Sequence, residues 1–548
     1  MSQRNLRIVA FASGLLLAGL VMGLPEAFGA EGDDELLSIL GSGAGAPAAA
    51  AKPGAQPELS AFRKVIGKPS AEQNIFLSFI EKGEMEKALF QWPTAFESTP
   101  FARSPSGRAL NAFLLYKNGI KVTALESLLS IDRPEQINPE MLKLWKEAAP
   151  DNDPVWGLVS VATWKPLWTE TFGLASEIRV RSRQIYGTEK LDALKELIKK
   201  TQADTRERAW LSWQLVLALS TGDDPGTAAK ALAVLMKAPN NPVSEDLMTI
   251  TAARLLYQNG FLDAAAKYYQ KVPKSSDYWF DAQEELGWSF IRKGEPQNAI
   301  AVTKTLTNEA FASQVGPEPL FLRSLAQLKV CDYPEVVKTL NTFRDRYRDR
   351  AKALMAVSES ADTPAVKNFI ARSKGERVSL MALGKEATEL PRFVTRDEVL
   401  AGLVETEKAL EKEGKQAGEL YARSLTGGTG QVGFQARLED FKKAVETRVA
   451  GARSATYNRV KELSSEEVNE IAQILQKLHI VEAELLQQIS LADRVAGATA
   501  TQKIAVRSGS TGSQAQDKIV FPAEQETWFD ELSNYKVDIK RGCQSAKR

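Results

Sequence analysis

One set of marks recurs along this chain and constrains what it can fold into: a small residue, an apolar residue, a turn glycine, a buried-type alanine, then large apolar residues. Between Thr251 and Val272 the marks are Ala253, Leu256, Gly260, Ala265, Tyr269 and Val272. Shifted by 34 positions they return as Gly287, Phe290, Gly294, Ala299 and Leu306. A displaced copy reads Ser324, Leu328, Cys331, Val336, Leu340 and Phe343. Earlier copies read Phe76, Phe79, Gly83, Ala88 and Trp92, then Ala112, Leu115, Gly119, Ala124 and Leu128, then Leu215, Gly222, Ala228 and Leu232. A small residue on each of two helices lets their backbones approach. A glycine between them adopts the left-handed conformation that ends the first helix, and the large residues fill the groove to the next hairpin.

From about Ser60 onward apolar stripes of period 3.6 alternate with short Gly, Pro and Asp breaks, and no alternating β-branched run bounded by hairpin turns occurs. The expected class is all-α. The repeated marks resemble those of the tetratricopeptide-repeat superfamily, whose 34-residue helix hairpins carry small and large residues at these offsets. The resemblance covers roughly Ala71 to Arg350. It implies a right-handed α-solenoid of helix hairpins that binds extended or helical segments of other proteins. The spacings between neighbouring copies drift (36, 34 and 37), and the family's early Trp and terminal Pro are mostly missing.

The first thirty residues read as an export signal: Arg4 and Arg7, an apolar stretch from Ile8 to Leu24, then Pro25, Ala27, Gly29 and Ala30, with cleavage expected after Gly29. No later apolar run reaches spanning length, and no cysteine stands directly after the apolar stretch. The expected location is the periplasm of a Gram-negative cell. Residues 31–58 contain GSGAGAPAAAAKPGAQPE, a stretch with no large apolar side chain, read as a flexible tether. The hairpin repeats then occupy 59–350, long helices 351–505, a polar linker 506–518, and an aromatic segment with Trp528, Phe529, Leu532, Tyr535 and Ile539 occupies 519–548, expected to dock on something.

In an exporting pathway the two cysteines, Cys331 and Cys543, 212 positions apart, are candidates for a disulfide. Past Arg350 the repeat marks stop and long Glu-, Lys-, Ala- and Leu-rich helices follow, Thr395 to Ser424 and Phe434 to Val495, around the Gly-rich break Thr426 to Gly433. A heptad-like seam runs through Ile471, Leu475, Leu478, Glu482, Leu485, Ile489 and Ala492, widened by Ile474, Ile480, Val481, Leu486 and Leu491. A long-helix hairpin or bundle is expected, packed on itself or on a partner, a second copy included.

Chemistry leaves few traces. Lys plus Arg total 70 against 69 Asp plus Glu, so no basic excess points to nucleic acid. With one histidine, His479, and two cysteines in 548 residues, zinc, haem and iron–sulfur sites are nearly excluded, and no cofactor is expected. No phosphate-binding loop, dinucleotide fingerprint, metalloprotease or nucleophile-elbow motif occurs. Helical superhelices also accompany exported lytic transglycosylases, but the Glu-Ser signature and Gly-Leu-Met-Gln run of that resemblance are absent. His479, inside the seam, reads as structural or exposed. Two surfaces remain as ligand candidates. Trp156, Trp164 and Trp168 could form a glycan platform but more simply fill a core, and Arg179, Arg181 and Arg183 could meet an anionic polymer. Arg344, Arg346, Arg348 and Arg350, interleaved with Asp345 and Asp349, read as a self-neutralised solvated face. The expected function is therefore a non-enzymatic periplasmic scaffold or adaptor for envelope proteins, in a secretion, motility or outer-membrane assembly. A peptidoglycan-binding protein or diverged glycan-processing enzyme is the alternative.

Overall fold

The computed structural model describes residues 57–181, 191–221, 225–425, 432–498 and 535–537. Among them every regular element is helical and there is no strand. The proposed signal 1–30, the linker as far as residue 56, the linker 506–518 and most of 519–548 lie outside the described residues. Pro57 and Glu58, placed in the linker by composition, open the first helix, and Glu58 pairs with Lys117 at 3.0 Å.

The helices of the first half are α1 (Pro57–Ile66), α2 (Ala71–Glu81), α3 (Met85–Trp92), α4 (Pro105–Lys117), α5 (Lys121–Leu129), α6 (Pro139–Ala148), α7 (Pro166–Phe172), α8 (Leu174–Arg181), α9 (Leu191–Lys200), α10 (Arg206–Ser220) and α11 (Pro225–Leu235). There follow α12 (Glu245–Gln258), α13 (Leu262–Lys271), α14 (Trp279–Lys293), α15 (Pro296–Leu306), α16 (Glu318–Lys329), α17 (Tyr333–Glu359) and α18 (Pro364–Ser373), then two long helices, α19 (Glu398–Leu425) and α20 (Val432–Ala498). Their starts are written in local chemistry. Ser70 and Gln73 form a reciprocal capping box before α2, and Ser104 followed by Pro105 caps α4 through the Gly107 N–H at 3.1 Å.

Five hairpin turns close in the same way. In each, the last helical turn accepts a six-to-one backbone bond: Glu84 N–H to Phe79 O, Ile120 to Leu115, Phe261 to Leu256, Glu295 to Phe290 and Asp332 to Gln327, all at 2.9–3.0 Å. Gly83, Gly119, Gly260 and Gly294 hold the left-handed position with φ between 72° and 89°, and Cys331 holds it with φ 60°. A side chain there costs about 1–2 kcal/mol, which is why glycine recurs and why a cysteine in the fifth turn needs a reason. The fifth copy is also one residue out of the register expected from its apolar marks, because Gln327 rather than Leu328 occupies the position of Leu256. The alanines on the second helices, Ala88, Ala124, Ala265 and Ala299, are fully buried, as is Ala253 on α12. At Gly287 a β-carbon would stand 2.6 Å from Leu322 Cδ2, so α14 and α16 meet closely and a larger residue there would make the Leu322 side chain shift. Gly222 lies outside the described residues.

The chain divides into two compact units, each drawn from separate stretches: Met1–Met248, Lys367–Val378 and Arg396–Val460 form one, Thr249–Val366, Ser379–Thr395 and Lys461–Arg548 the other. In the first, successive helices pack in turn (α2 on α3, α3 on α4, α4 on α5), and α19 lies on α5. Its core is rich in aromatic rings, with Phe62 edge-on to Phe113 at 5.8 Å and Phe113 edge-on to Trp145 at 5.4 Å. Leu410, Ala417 and Leu420 of α19 and Leu438 of α20 belong to the same cluster. In the second unit α13 to α17 pack each on the next, and α14 also reaches α16.

Candidate functional site

The sequence candidates separate cleanly once their surroundings are known. Trp156 and Trp168 are wholly buried, and Trp164 packs against the same core. Trp156 packs with its ring centroid 4.9 Å from that of Phe172, tilted by 55°, and donates its indole N–H to Pro150 O, while Trp164 donates to Thr169 Oγ1 at 2.8 Å. The nearby carboxylate Glu177 is already engaged by Thr169 at 2.6 Å and by Arg181 at 2.6 Å. These rings are core, and no open aromatic shelf faces a ligand here. Arg179 is likewise spent on Glu207 at 2.7 Å, and Arg183 lies outside the described residues.

The Arg344–Arg350 run departs from the solvated face expected of it. Asp345, Arg348 and Asp349 are exposed, but Arg344 reaches Glu482 at 2.7 Å, Arg346 caps Thr307 O at 2.9 Å, and Arg350 turns inward. Arg350 donates to Glu467 at 2.9 Å and to the carbonyls of Ala387, Thr388 and Leu390. Glu467, 2% exposed, also accepts the Arg392 backbone N–H at 2.8 Å, and the buried Arg392 guanidinium grips Glu470 at 2.6 Å. Burial alone would lower the Arg392 pKa. Glu470 and Glu467 outweigh it and hold the guanidinium above its usual value. Beneath, Tyr347 donates to Gly316 O at 2.5 Å, and burial pushes its hydroxyl well above the ordinary tyrosine range. This is a clamp that ties α17 and the 380–392 segment to α20 within the second unit.

A second network occupies the first unit. Glu407, 1% exposed, accepts from Lys374 at 2.8 Å and Arg453 at 3.1 Å, and both cations also bind Glu411. Burial would lower the Lys374 pKa, and the two glutamates overcome it so that the ammonium is held above its usual value. Further along α19, Glu413 is 4% exposed and caps α5, accepting Val122 N–H at 2.5 Å, Thr123 N–H at 3.3 Å and Thr123 Oγ1–H at 2.7 Å. A carboxylate on the N-terminus of a helix satisfies orphan donors and meets the positive end of the helix dipole. Arg448 of α20 bonds Thr123 and Glu126 beside it. Sequence reasoning missed all of these glutamates, which sit among many similar ones on Glu-rich helices.

Every carboxylate named is answered by an arginine, a lysine or a helix terminus, an arrangement that holds elements together. Among the described residues no group of three or more His, Cys, Asp or Glu is placed to hold a metal ion. His479 is exposed on α20. The buried seam of that helix runs through Val460, Leu463, Glu467, Ile471, Ile474, Leu478, Val481 and Leu485. Leu475 and Glu482, expected in the seam, are only partly covered, and Ile480 and Leu486 are 66% and 64% exposed. Cys331 is disulfide-bonded, and Cys543 lies outside the described residues. Of the C-terminal segment, Tyr535, Lys536 and Val537 are described, with Tyr535 and Val537 partly covered and Lys536 exposed. No helix among the described residues is long and apolar enough to cross a membrane. No protein-family model matches the chain, and comparison with curated proteins finds no match.

Proposed function

We propose that this chain is a non-enzymatic scaffold or adaptor of the periplasm, exported by its N-terminal signal, whose tetratricopeptide-like hairpins form a solenoid that binds other envelope proteins. The observation that carries the reading is the five-fold repetition of one hairpin turn, with the left-handed residue and a buried second-helix residue five positions later in register, alanine in four copies and Val336 in the fifth. Repeated hairpins that pack on their neighbours build extended surfaces suited to segments of other proteins. The charged side chains with deep burial support it too, since they are committed to internal pairs rather than converging on a substrate. The exposed Ile480 and Leu486 on α20 fit a second contact site, for a partner helix or another copy of this chain. Burial of Trp156 and Trp168 counts against the glycan-binding alternative.

The test is mild crosslinking of the tagged full-length protein in native envelope, followed by mass spectrometry that assigns each crosslink to a residue. Reproducible envelope proteins crosslinked within residues 71–350 are expected. Recovery of muropeptides with no protein partner would overturn the adaptor and put glycan recognition in its place.

A further inference from the structure

The fifth hairpin turn carries a cysteine where its four counterparts carry glycine, and that cysteine is bonded. Immediately before it, Val330 joins Ala299 and Ile300 of α15 and Ala326 of α16 in a small apolar cluster, and the residue packed against that cluster from far along the chain is Val537. Two residues earlier the Tyr535 ring lies under the Lys304 ammonium, 4.3 Å from Nζ to the ring centroid. The segment is non-helical, and its residues alternate partly covered, exposed and partly covered, as those of an extended strand do when laid on a surface.

The spacing fits a strap along α15. From Lys304 back to Ile300 is about 6 Å of helix rise, and two extended residues span about 7 Å. The strap therefore runs against the direction of α15 and towards Val330, the neighbour of Cys331. Cys543, the only other cysteine in the sequence, is six residues beyond Val537, a reach of up to roughly 20 Å.

We propose that the groove between α15 and α16 is a peptide-binding site for an extended aromatic–x–aliphatic segment, and that its resident occupant is the chain's own C-terminal strap, pinned by a disulfide between Cys331 and Cys543. The groove takes Val537 by apolar contact and Tyr535 by contact with a cation. The bond keeps the occupant at high local concentration, so a competing peptide meets an occupied site. A dithiol reductant unlocks it: one thiolate attacks a sulfur of the bond, the S–S bond breaks, and the second thiolate resolves the mixed disulfide. Two cysteine thiols and the oxidised dithiol result. The backbone strain at Cys331 has its reason in this tie. The inference rests on the second unit alone and does not depend on the adaptor reading.

Two measurements on the full chain test it. Peptide mapping without reduction should recover the Cys331 peptide linked to the Cys543 peptide. A free Cys331 thiol, or Cys331 linked to a second chain, would overturn the pinning. Fluorescence anisotropy with a labelled peptide of residues 531–542 should then show binding at least tenfold tighter to a Cys543→Ser, Val537→Asp chain than to the oxidised wild type, and a peptide with Tyr535→Ala and Val537→Ala should not bind. The wild type before and after dithiol treatment gives the same comparison without any substitution. Equal binding to pinned and freed protein, or none to either, would refute the groove as a peptide site.

Discussion

The two units attach the long C-terminal helices by different means. In the first, α19 and the start of α20 enter an aromatic-rich core: Leu410, Ala417, Leu420 and Leu438 share one apolar cluster with Phe62, Phe113 and Trp145. In the second, later turns of α20 bury Ile471, Ile474, Leu478, Val481 and Leu485 and add a row of arginines, Arg350 and Arg392 on Glu467 and Glu470, and Arg344 on Glu482. One attachment is broad and forgiving of direction. The other adds contacts that are geometrically exact, because a buried guanidinium stabilises only when its carboxylate is in place. The first unit does contain ion pairs, but its buried Glu407 and Glu413 add to an apolar interface already made.

The largest effect should come from the clamp. Glu467→Ala leaves Arg350 and Arg392 without their shared carboxylate, and removing one partner of a buried pair costs about 3–5 kcal/mol. Hydrogen exchange under mild denaturant should show protection lost in residues 461–485 and 380–392 while α2 to α5 keep theirs. Equal loss in both units would erase the contrast. Leu420→Ala, at a fully buried position, should cost about 3 kcal/mol and show the mirror pattern.

Smaller changes sharpen the picture within each unit. Gly287→Ala pushes a methyl group into Leu322, whose flexible end can yield, so about 1–2 kcal/mol is expected, read as a lower urea midpoint with unchanged slope. The smallest effect is on pH dependence. Burial raises the Glu126 pKa above its usual value, against the opposing pull of Arg448. The folded state then binds the proton more tightly than the unfolded chain does, so this residue's contribution is most favourable at low pH and is lost as pH rises through the raised pKa. Glu126→Gln should therefore melt above the wild type at neutral pH, and the gap should close below the ordinary carboxylate range. A gap that widened on acidification would reverse the assigned sign.

How much of this could be read from the sequence depends on what each residue's role leaves visible. A turn glycine advertises itself because few other residues accept positive φ, and Gly83, Gly119, Gly260 and Gly294 each mark the turn they make. Cys331 hides the same role, since a cysteine carries no turn signal, and its copy looked displaced. The phase of α20 was legible only in part. Both Ile471–Leu475–Leu478 and Ile471–Ile474–Leu478 give apolar steps of three and four, and burial chooses the second. Buried glutamates were not legible at all. Glu407 and Glu413 share a stretch of α19 dense in Glu and Lys, and the partners that distinguish them stand far off in the sequence, Val122 being 291 residues from Glu413. The arginines of 344–350 misled for a related reason: their neighbouring aspartates offered a local answer, and the distant carboxylates of α20 supplied the actual one.

The interleaving of segments sets the order in which this protein can be made. The aromatic core around Trp145 is closed by Leu410, Leu420 and Leu438, so the earliest helices cannot reach their final stability until nearly three hundred further residues have emerged and come back to them. Loop closure over such distances is slow, and a chain arriving from its N-terminus would hold partly open hairpins in the meantime. A truncation near residue 400 would thus deprive the first helices of their lid, though it removes none of their own sequence, and would leave an aggregating product.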